Sequence, residues 1–362
     1  MWRRLKRNGR ERSEGGGTAA VVERPVIARP TEVDDDFPGS DEELFAEIAR
    51  LTGASPAGSD PDTDRRVLRL RHLAGIRLLA TSGEGARHPT PDTDRLPDTG
   101  TLPDIAAEDL TPELLRAGIL RDGCLLVRGL VDRASAERFA EQIDCSFTQR
   151  ERLLDEGGAP DGYYDEFAGE GPYAIDAGAR AWIREGGGVL AVDSPLLMAE
   201  MLAMFEAAGL QRLVRGYLGE HPMVSLQKTT LRKAEPTVPG AWHQDGAFMG
   251  EVRALNLWLS LSRCGDESPG LDLVPRRLEH IVTTTTDEAL LSYQVSQSKA
   301  EEAAGDLDII RPIFEPGDAL FFDELFLHQT GSDPAMPKPR FAIESWFFGG
   351  SAFPGEYGPL AV

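Results

Sequence analysis

Three residues of this chain have the types and spacing of a metal site. His243 and Asp245 lie two positions apart, and His328 follows much further along the chain. If residues 242–246 form an extended strand, the imidazole and the carboxylate leave the same face of it. A histidine from another strand would complete a set of two histidines and one carboxylate on one side of an ion. This facial set is typical of non-haem Fe(II) oxygenases, because the opposite positions stay open for a chelating cosubstrate and O2.

Each of these residues also has a plainer interpretation. A His-x-Asp motif alone is weak evidence in a chain with six histidines among 362 residues. His328 lies in an apolar run, where a histidine is more often a hydrogen-bonded core residue than a ligand. The surrounding elements and motifs therefore decide between a metal site and structural histidines.

The C-terminal half has the pattern of a β structure that could position such a site. Short apolar or β-branched segments are separated there by Gly, Pro and Asp turns, which predicts an antiparallel sandwich or barrel. Both halves of the proposed metal site fall in this part, where rigid strands can point ligands inward. We expect strands at residues 223–231, 254–261, 271–274, 280–285, 309–314, 319–322 and 341–348.

Helices are predicted before this β-rich part. Residues 41–105 are interpreted as a helical N-terminal extension, with helices at 41–51 and 64–79, and we expect His72 and His88 at its surface. Thr111 and Asp132 have the pattern of helix N-caps, and residues 194–217 show the apolar stripe of one long helix. Residues 155–189 are interpreted as an insertion or lid. Its aromatic residues either line a pocket or anchor a long loop: Tyr163, Tyr164, Tyr173 and Trp182.

Composition limits the classes of partner. The net charge of −22 argues against a nucleic-acid or anionic-membrane surface. The three cysteines form no CxxC pair, which favours a reducing, cytoplasmic compartment. No apolar run approaches a membrane span, and no signal peptide is recognisable. Residues 1–40 run from a basic start through glycines to an acidic, proline-containing stretch, and they are predicted to be a disordered tail.

Several motifs occur in an order that resembles one family. The motifs are Trp-His-Gln-Asp at 242–245, Leu-Asn-Leu-Trp at 255–258, Pro-Gly-Asp-Ala-Leu-Phe-Phe at 316–322 and His-Gln-Thr-Gly at 328–331, followed by Arg340. Together they resemble the phytanoyl-CoA dioxygenase family of Fe(II)/2-oxoglutarate-dependent oxygenases. The resemblance spans residues 107–350 and leaves 351–362 as a C-terminal tail. It implies a mainly β fold with flanking helices, whose core is a double-stranded β-helix, a cupin-like jelly roll.

The resemblance also implies the roles of particular residues. His243, Asp245 and His328 would be the catalytic iron ligands, with 2-oxoglutarate and O2 as cosubstrates. Arg340 would hold the distal carboxylate of 2-oxoglutarate, a task that suits a planar guanidinium. Thr330 would support the same carboxylate, and Trp258 would lie near the cosubstrate. The implied reaction is hydroxylation of a small-molecule substrate, with formation of succinate and CO2.

Other assignments stay open at this point. The family often has a basic residue before the Trp-His motif that contacts the cosubstrate, and Gln227, Lys228, Arg232 and Lys233 are the candidates. Arg276 and Arg277 either meet an anionic ligand or are solvated in a turn. Two other functions remain: a Zn(II)-dependent hydrolase or isomerase on the same scaffold, and a non-catalytic jelly-roll binding module. The substrate and the oligomeric state cannot be derived from the sequence.

Overall fold

The computed structural model describes residues 37–83, 86–98, 102–238, 240–284 and 292–362. Most of the predicted N-terminal tail, residues 1–36, lies outside the described residues. The described chain forms two sheets with helices packed around them, so the predicted fold class, a β core with flanking helices, is confirmed.

Ten strands are present in the described residues. They are β1 (Asp104–Ala106), β2 (Cys124–Arg128), β3 (Gly188–Leu190), β4 (Pro222–Ala234), β5 (Ala254–Ser260), β6 (Gly270–Leu273), β7 (Ala319–Phe322), β8 (His328–Gly331), β9 (Arg340–Gly349) and β10 (Pro359–Ala361). The main sheet has the order β1-β2-β7-β5-β9-β4-β10, with β3 also paired to β4. All of its pairs are antiparallel except β1 with β2.

A smaller sheet faces the main one. It consists of the antiparallel pair β6 and β8, extended by single bridges from His243 to His328 and from Leu273 to Ile310. Apolar side chains of both sheets pack in one buried cluster, which includes Trp258 on β5 and Leu271 on β6. The space between the two sheets is called the barrel interior below, and the proposed metal ligands border it.

Nine helices flank the sheets in the described residues. They are α1 (Asp41–Thr52), α2 (Pro61–Thr81), α3 (Pro112–Asp122), α4 (Arg133–Glu156), α5 (Ala177–Glu185), α6 (Pro195–Ala207), α7 (Leu210–Leu218), α8 (Gly246–Met249) and α9 (Gln297–Ala304). Thr111 and Asp132 cap α3 and α4 through their side chains, as predicted. The single helix predicted at 194–217 is wrong, because Gly209 takes a left-handed conformation (φ 70°) that separates α6 from α7.

Two predicted strands and the C-terminal tail also differ from the structure. The described residues 280–284 form no strand, and 309–314 contribute only single bridges. Residues 351–362, expected as a tail, contain β10, which pairs with β4. The domain boundaries themselves stay predictions. Among the described residues, no helix has the length and apolar composition that crossing a membrane requires.

The expectation of a surface His72 is wrong. Its side chain is buried, with Nδ1 lying 2.6 Å from the carbonyl oxygen of Pro359 and Nε2 lying 3.1 Å from the backbone nitrogen of Glu170. A neutral ring satisfies both contacts, donating through Nδ1 and accepting through Nε2. Burial lowers the pKa of His72 to about 4. The ring therefore joins α2 to β10 and to the 155–189 segment only while it is uncharged.

This arrangement predicts that His72 makes the protein sensitive to acid. The unfolded chain binds the proton near pH 6.5 and the folded protein only near pH 4, so the contribution of His72 is complete above pH 6.5 and lost as the pH falls towards 4. Between pH 7 and pH 5, the stability advantage of the wild type over His72→Gln should shrink by about 2 kcal/mol. Urea unfolding of both proteins at the two pH values measures this. A constant difference would contradict the assignment.

Candidate metal centre

The three predicted ligands lie together. His243, Asp245 and His328 each offer a donor atom, and these atoms all lie within 4.8 Å of one another. Two backbone hydrogen bonds bring the histidines together: His243 N–H donates to the His328 carbonyl at 3.0 Å, and His328 N–H donates to the His243 carbonyl at 3.1 Å. Facing antiparallel partners place their side chains on one side of the sheet. The two imidazole ring centres are accordingly 4.5 Å apart.

The Asp245 carboxylate lies beside the two histidines, but its backbone is not the strand that was predicted. It is not on a strand, because its backbone is helical (φ −63°, ψ −27°) and it is the N-cap of α8. An aspartate at this position ordinarily accepts a hydrogen bond from the next turn, but the Asp245 side chain makes no such bond. Its Oδ2 is buried without a hydrogen-bond partner among the described residues. The carboxylate is turned away from its own helix and towards the histidines.

The hydrogen bonds of both histidines favour metal binding. Nδ1 of His243 lies 2.7 Å from the Ala241 carbonyl oxygen, and Nδ1 of His328 lies 3.1 Å from that of Phe326. When each Nδ1–H donates to its carbonyl, the lone pair of Nε2 remains for a ligand. Burial lowers the pKa of His328 to about 3, so this ring is neutral at ordinary pH.

Burial makes the ionised form of the Asp245 carboxyl less favourable than that of an exposed aspartate. Burial raises its pKa to about 6, and the nearby His243 opposes that increase. A divalent cation bound by the three side chains would strongly favour the ionised form. Two imidazoles with Nε2 available and one unpartnered carboxylate thus have the composition that a borderline divalent metal ion such as Fe(II) or Zn(II) requires.

Arg340 is buried in the barrel interior without an acidic partner among the described residues. It lies at the start of β9 and is only 4% exposed. One of its terminal nitrogens donates to the Gly270 carbonyl oxygen at 3.1 Å, while its Nε has no partner within the described chain. Burial lowers the pKa of this guanidinium to about 10. A buried cation without a counterion is unfavourable unless a ligand supplies one, so this position favours an anion.

The other two predicted cosubstrate residues lie beside this guanidinium. The Cζ atom of Arg340 is 5.3 Å from the ring centre of Trp258, which is buried on β5. Arg340 reaches across to Gly270, which pairs with Gly331 of β8, directly after Thr330. Thr330 is two residues after His328, so the two side chains share a face of β8. Arg340, Thr330 and Trp258 are thus gathered on one side of the barrel interior, and their roles stay predictions.

Two further polar side chains facing the barrel interior were not singled out from the sequence. Asn256 and Trp346 pair across β5 and β9, and both are buried. Neither the amide group of Asn256 nor the indole nitrogen of Trp346 has a hydrogen-bond partner within the described residues. Buried polar atoms are rarely left unpaired. Their concentration on the face opposite the small sheet indicates that the interior is built to enclose a polar ligand.

The structure separates the four candidates before the Trp-His motif. Lys233 is bound to an exposed acid, with its Nζ 2.8 Å from Asp144, and Gln227 donates to the Glu356 carbonyl oxygen. Arg232 forms an ion pair with Glu344 at 3.0 Å. Lys228 is partly buried, and its Nζ lies over the rings of Phe248 and Tyr357. Which of them contacts a cosubstrate stays a prediction.

The remaining basic and aromatic candidates have other partners. Arg276 pairs with Asp306, and Arg277 pairs with the buried Asp323. In the 155–189 segment, Tyr164 and Tyr173 are buried, as the loop-anchoring interpretation expects. The exposed Trp182 and the half-buried Tyr163 complete that aromatic set.

Gln244 is a positioning residue that was overlooked in the sequence because it points away from the metal. It is fully buried, and its Nε2 donates to the carbonyl oxygens of Leu325 (2.6 Å) and His280 (3.1 Å). Its Oε1 accepts from the backbone N–H of Val282 at 2.7 Å. The side chain therefore ties the segment that carries His243 to the loop before His328.

No protein-family model matches the chain, and no curated protein matches it. The resemblance to the phytanoyl-CoA dioxygenase family therefore stays a prediction. Among solved structures, EctD from S. alaskensis with 2-oxoglutarate and 5-hydroxyectoine is 16% identical (TM-score 0.43), covering 74% of this chain and 85% of EctD. AviO1 from Streptomyces viridochromogenes Tue57 is 17% identical (TM-score 0.41; 65% and 94% covered). The non-heme alpha-ketoglutarate-dependent epimerase SnoN from nogalamycin biosynthesis is 19% identical (TM-score 0.38; 66% and 82% covered).

Replacing Gln244 by alanine should loosen the metal centre. The change leaves two carbonyls and one N–H, all only partly buried, without this partner, so we expect a loss of about 1–2 kcal/mol in the free energy of unfolding and about tenfold weaker Co(II) binding. The matched control is Gln297→Ala, since Gln297 is an exposed glutamine that accepts from the indole of Trp242. Denaturant titration and Co(II) titration measure both quantities. Equal effects of the two changes would contradict the positioning role.

Proposed function

We propose that the protein is a non-haem Fe(II)- and 2-oxoglutarate-dependent oxygenase that hydroxylates a small molecule. The observation that carries this proposal is the buried guanidinium of Arg340, which has no acidic partner among the described residues and shares the barrel interior with the His-Asp-His set. A metal centre alone gives this arginine no role. If a dicarboxylate cosubstrate binds the metal through one end, the carboxylate at its other end can pair with Arg340.

The protein's residues would bind and orient the reactants. His243, Asp245 and His328 would hold Fe(II), while Arg340 and Thr330 would bind the distal carboxylate of 2-oxoglutarate. Iron and 2-oxoglutarate, when bound, supply the chemistry that uses O2 to oxidise a substrate C–H bond, with succinate and CO2 as coproducts. Apolar rings pack against the buried side of the site, among them Phe322, whose ring centre lies 4.8 Å from that of His328.

The alternatives account for fewer of these residues. A Zn(II)-dependent hydrolase or isomerase would use the same three ligands but leave Arg340 without a partner. A non-catalytic binding module would leave the Asp245 carboxylate buried and unpartnered as well. We further propose a cytoplasmic protein that acts without nucleic acid or membrane, since the acidic net charge opposes both surfaces.

Replacing Arg340 by glutamine should separate cosubstrate binding from metal binding. We expect Arg340→Gln to bind 2-oxoglutarate at least tenfold more weakly, because a charge-assisted, bidentate contact is lost, while Mn(II) affinity is unchanged. The matched control is Arg311→Gln, because Arg311 pairs with Asp272 on β6 and is partly exposed. Calorimetric titration of each Mn(II)-loaded protein with 2-oxoglutarate measures the effect.

Three outcomes would contradict the proposal or parts of it. If wild-type protein binds Mn(II) but no 2-oxoglutarate, the hydrolase interpretation replaces the oxygenase. If it binds no divalent metal, the binding-module interpretation does. If both arginine variants bind 2-oxoglutarate like the wild type, Arg340 is not the cosubstrate anchor.

A further inference from the structure

Lys228 is a cation whose position the proposed reaction does not yet explain. Its Nζ lies 4.2 Å from the ring centre of Phe248 and 4.9 Å from that of Tyr357. The nearby basic residues Arg232 and Lys233 each pair with an acid. Within the described part of the chain, no carboxylate lies within ion-pair distance of the Lys228 ammonium.

A β-bulge directs Lys228 into the interior. The pairing of β4 with β9 shifts register between Val224 and Thr229. Ser225 holds the bulge, because its Oγ accepts from the Lys228 backbone N–H (3.2 Å) and donates to the Tyr357 carbonyl oxygen (2.7 Å). Bulges re-aim side chains and are frequent next to active sites. Ser225 therefore holds the backbones of Lys228 and Tyr357 in a fixed relative position.

An aromatic wall leads from solvent past Lys228 to the metal ligands. We define it as Trp182, Tyr293, Phe248 and Tyr357. Trp182 is 47% exposed, and its ring centre lies 6.1 Å from that of Tyr293. The ring centre of Tyr293 in turn lies 5.3 Å from that of Phe248 and 6.2 Å from that of His243. A flat or apolar molecule that enters along this wall would reach the metal centre with Lys228 beside it.

The charges that face the barrel interior leave one positive charge without an ion-pair partner, since Glu356, another acid near Lys228, is exposed to solvent. Glu344 is neutralised by Arg232. Asp245 and two neutral histidines around Fe(II) leave a single positive charge, and Arg340 and Lys228 add one each. Bound 2-oxoglutarate removes two of these three charges. Because uncompensated buried charge is unfavourable, the loaded site favours a monoanion.

We propose that Lys228 binds a carboxylate of the substrate, whose flat or apolar body packs on the aromatic wall. The inference rests on the proposed function, because it assumes that 2-oxoglutarate occupies Arg340. A carboxylate fits better than a phosphate monoester, which carries more than one negative charge at neutral pH. The substrate class is therefore small, unsaturated or aromatic monocarboxylic acids, and Lys228 is a specificity-determining residue.

The test compares three molecules of one shape that differ in charge. Protein loaded with redox-inert Zn(II) and 2-oxoglutarate is titrated calorimetrically with 3-phenylpropionate, 3-phenylpropionamide and 3-phenylpropylamine. The wild type should bind the acid about ten- to a hundredfold more tightly than the amide and the amine most weakly. Lys228→Met should abolish the preference for the acid, and Lys228→Arg should retain it. The matched control Lys338→Met, which removes an exposed lysine paired with Glu267, should also retain it.

Each other outcome overturns the inference and identifies the cause. If the wild type binds the acid and the amide equally well, or shows no saturable binding of the acid, there is no carboxylate site. If Lys228→Met still prefers the acid to the amide, Lys228 is not part of the carboxylate site. If Lys228→Met instead loses affinity for 2-oxoglutarate, the lysine serves the cosubstrate. If the wild type itself fails to bind 2-oxoglutarate, the proposed function fails and the inference fails with it, which the first titration reveals separately.

Discussion

Two hydrogen bonds between the backbones of His243 and His328 are the contact on which the rest of the candidate site depends. They join a loop before α8 to the first residue of β8 and bring two imidazoles from distant parts of the chain side by side. Each ring is then fixed by its own backbone carbonyl partner, at Ala241 and Phe326. The main sheet places Arg340 on the opposite side of the barrel interior from these histidines.

The interior departs from the usual rule that buried polar groups are paired. Asp245, Arg340, Asn256 and Trp346 all keep polar atoms without partners among the described residues. Each such atom destabilises the empty protein by about 1–3 kcal/mol, and a folded chain retains such groups when a ligand satisfies them. The unpaired atoms, rather than the overall fold, therefore carry the argument for a polar ligand between the sheets.

The sequence indicated which three side chains lie together, but not the backbone geometry that brings them together. His243, Asp245 and His328 could be selected because their types and motif context are specific, and the β-rich texture predicted the core. The helical turn at Asp245 could not be foreseen, since a His-x-Asp sequence is compatible both with a strand and with the start of a helix. The burial of His72 depends on Pro359, a residue far along the chain, and the choice of Lys228 among neighbouring basic residues depends on a bulge. Such long-range contacts leave no local pattern.

The central claim is that one metal ion and 2-oxoglutarate bind together in this interior. The most direct measurement is an anaerobic titration of the Fe(II)-loaded protein with 2-oxoglutarate, followed by visible absorption. The account predicts a weak charge-transfer band that rises to saturation and requires both components. Iron binding without such a band, at saturating 2-oxoglutarate, would contradict it.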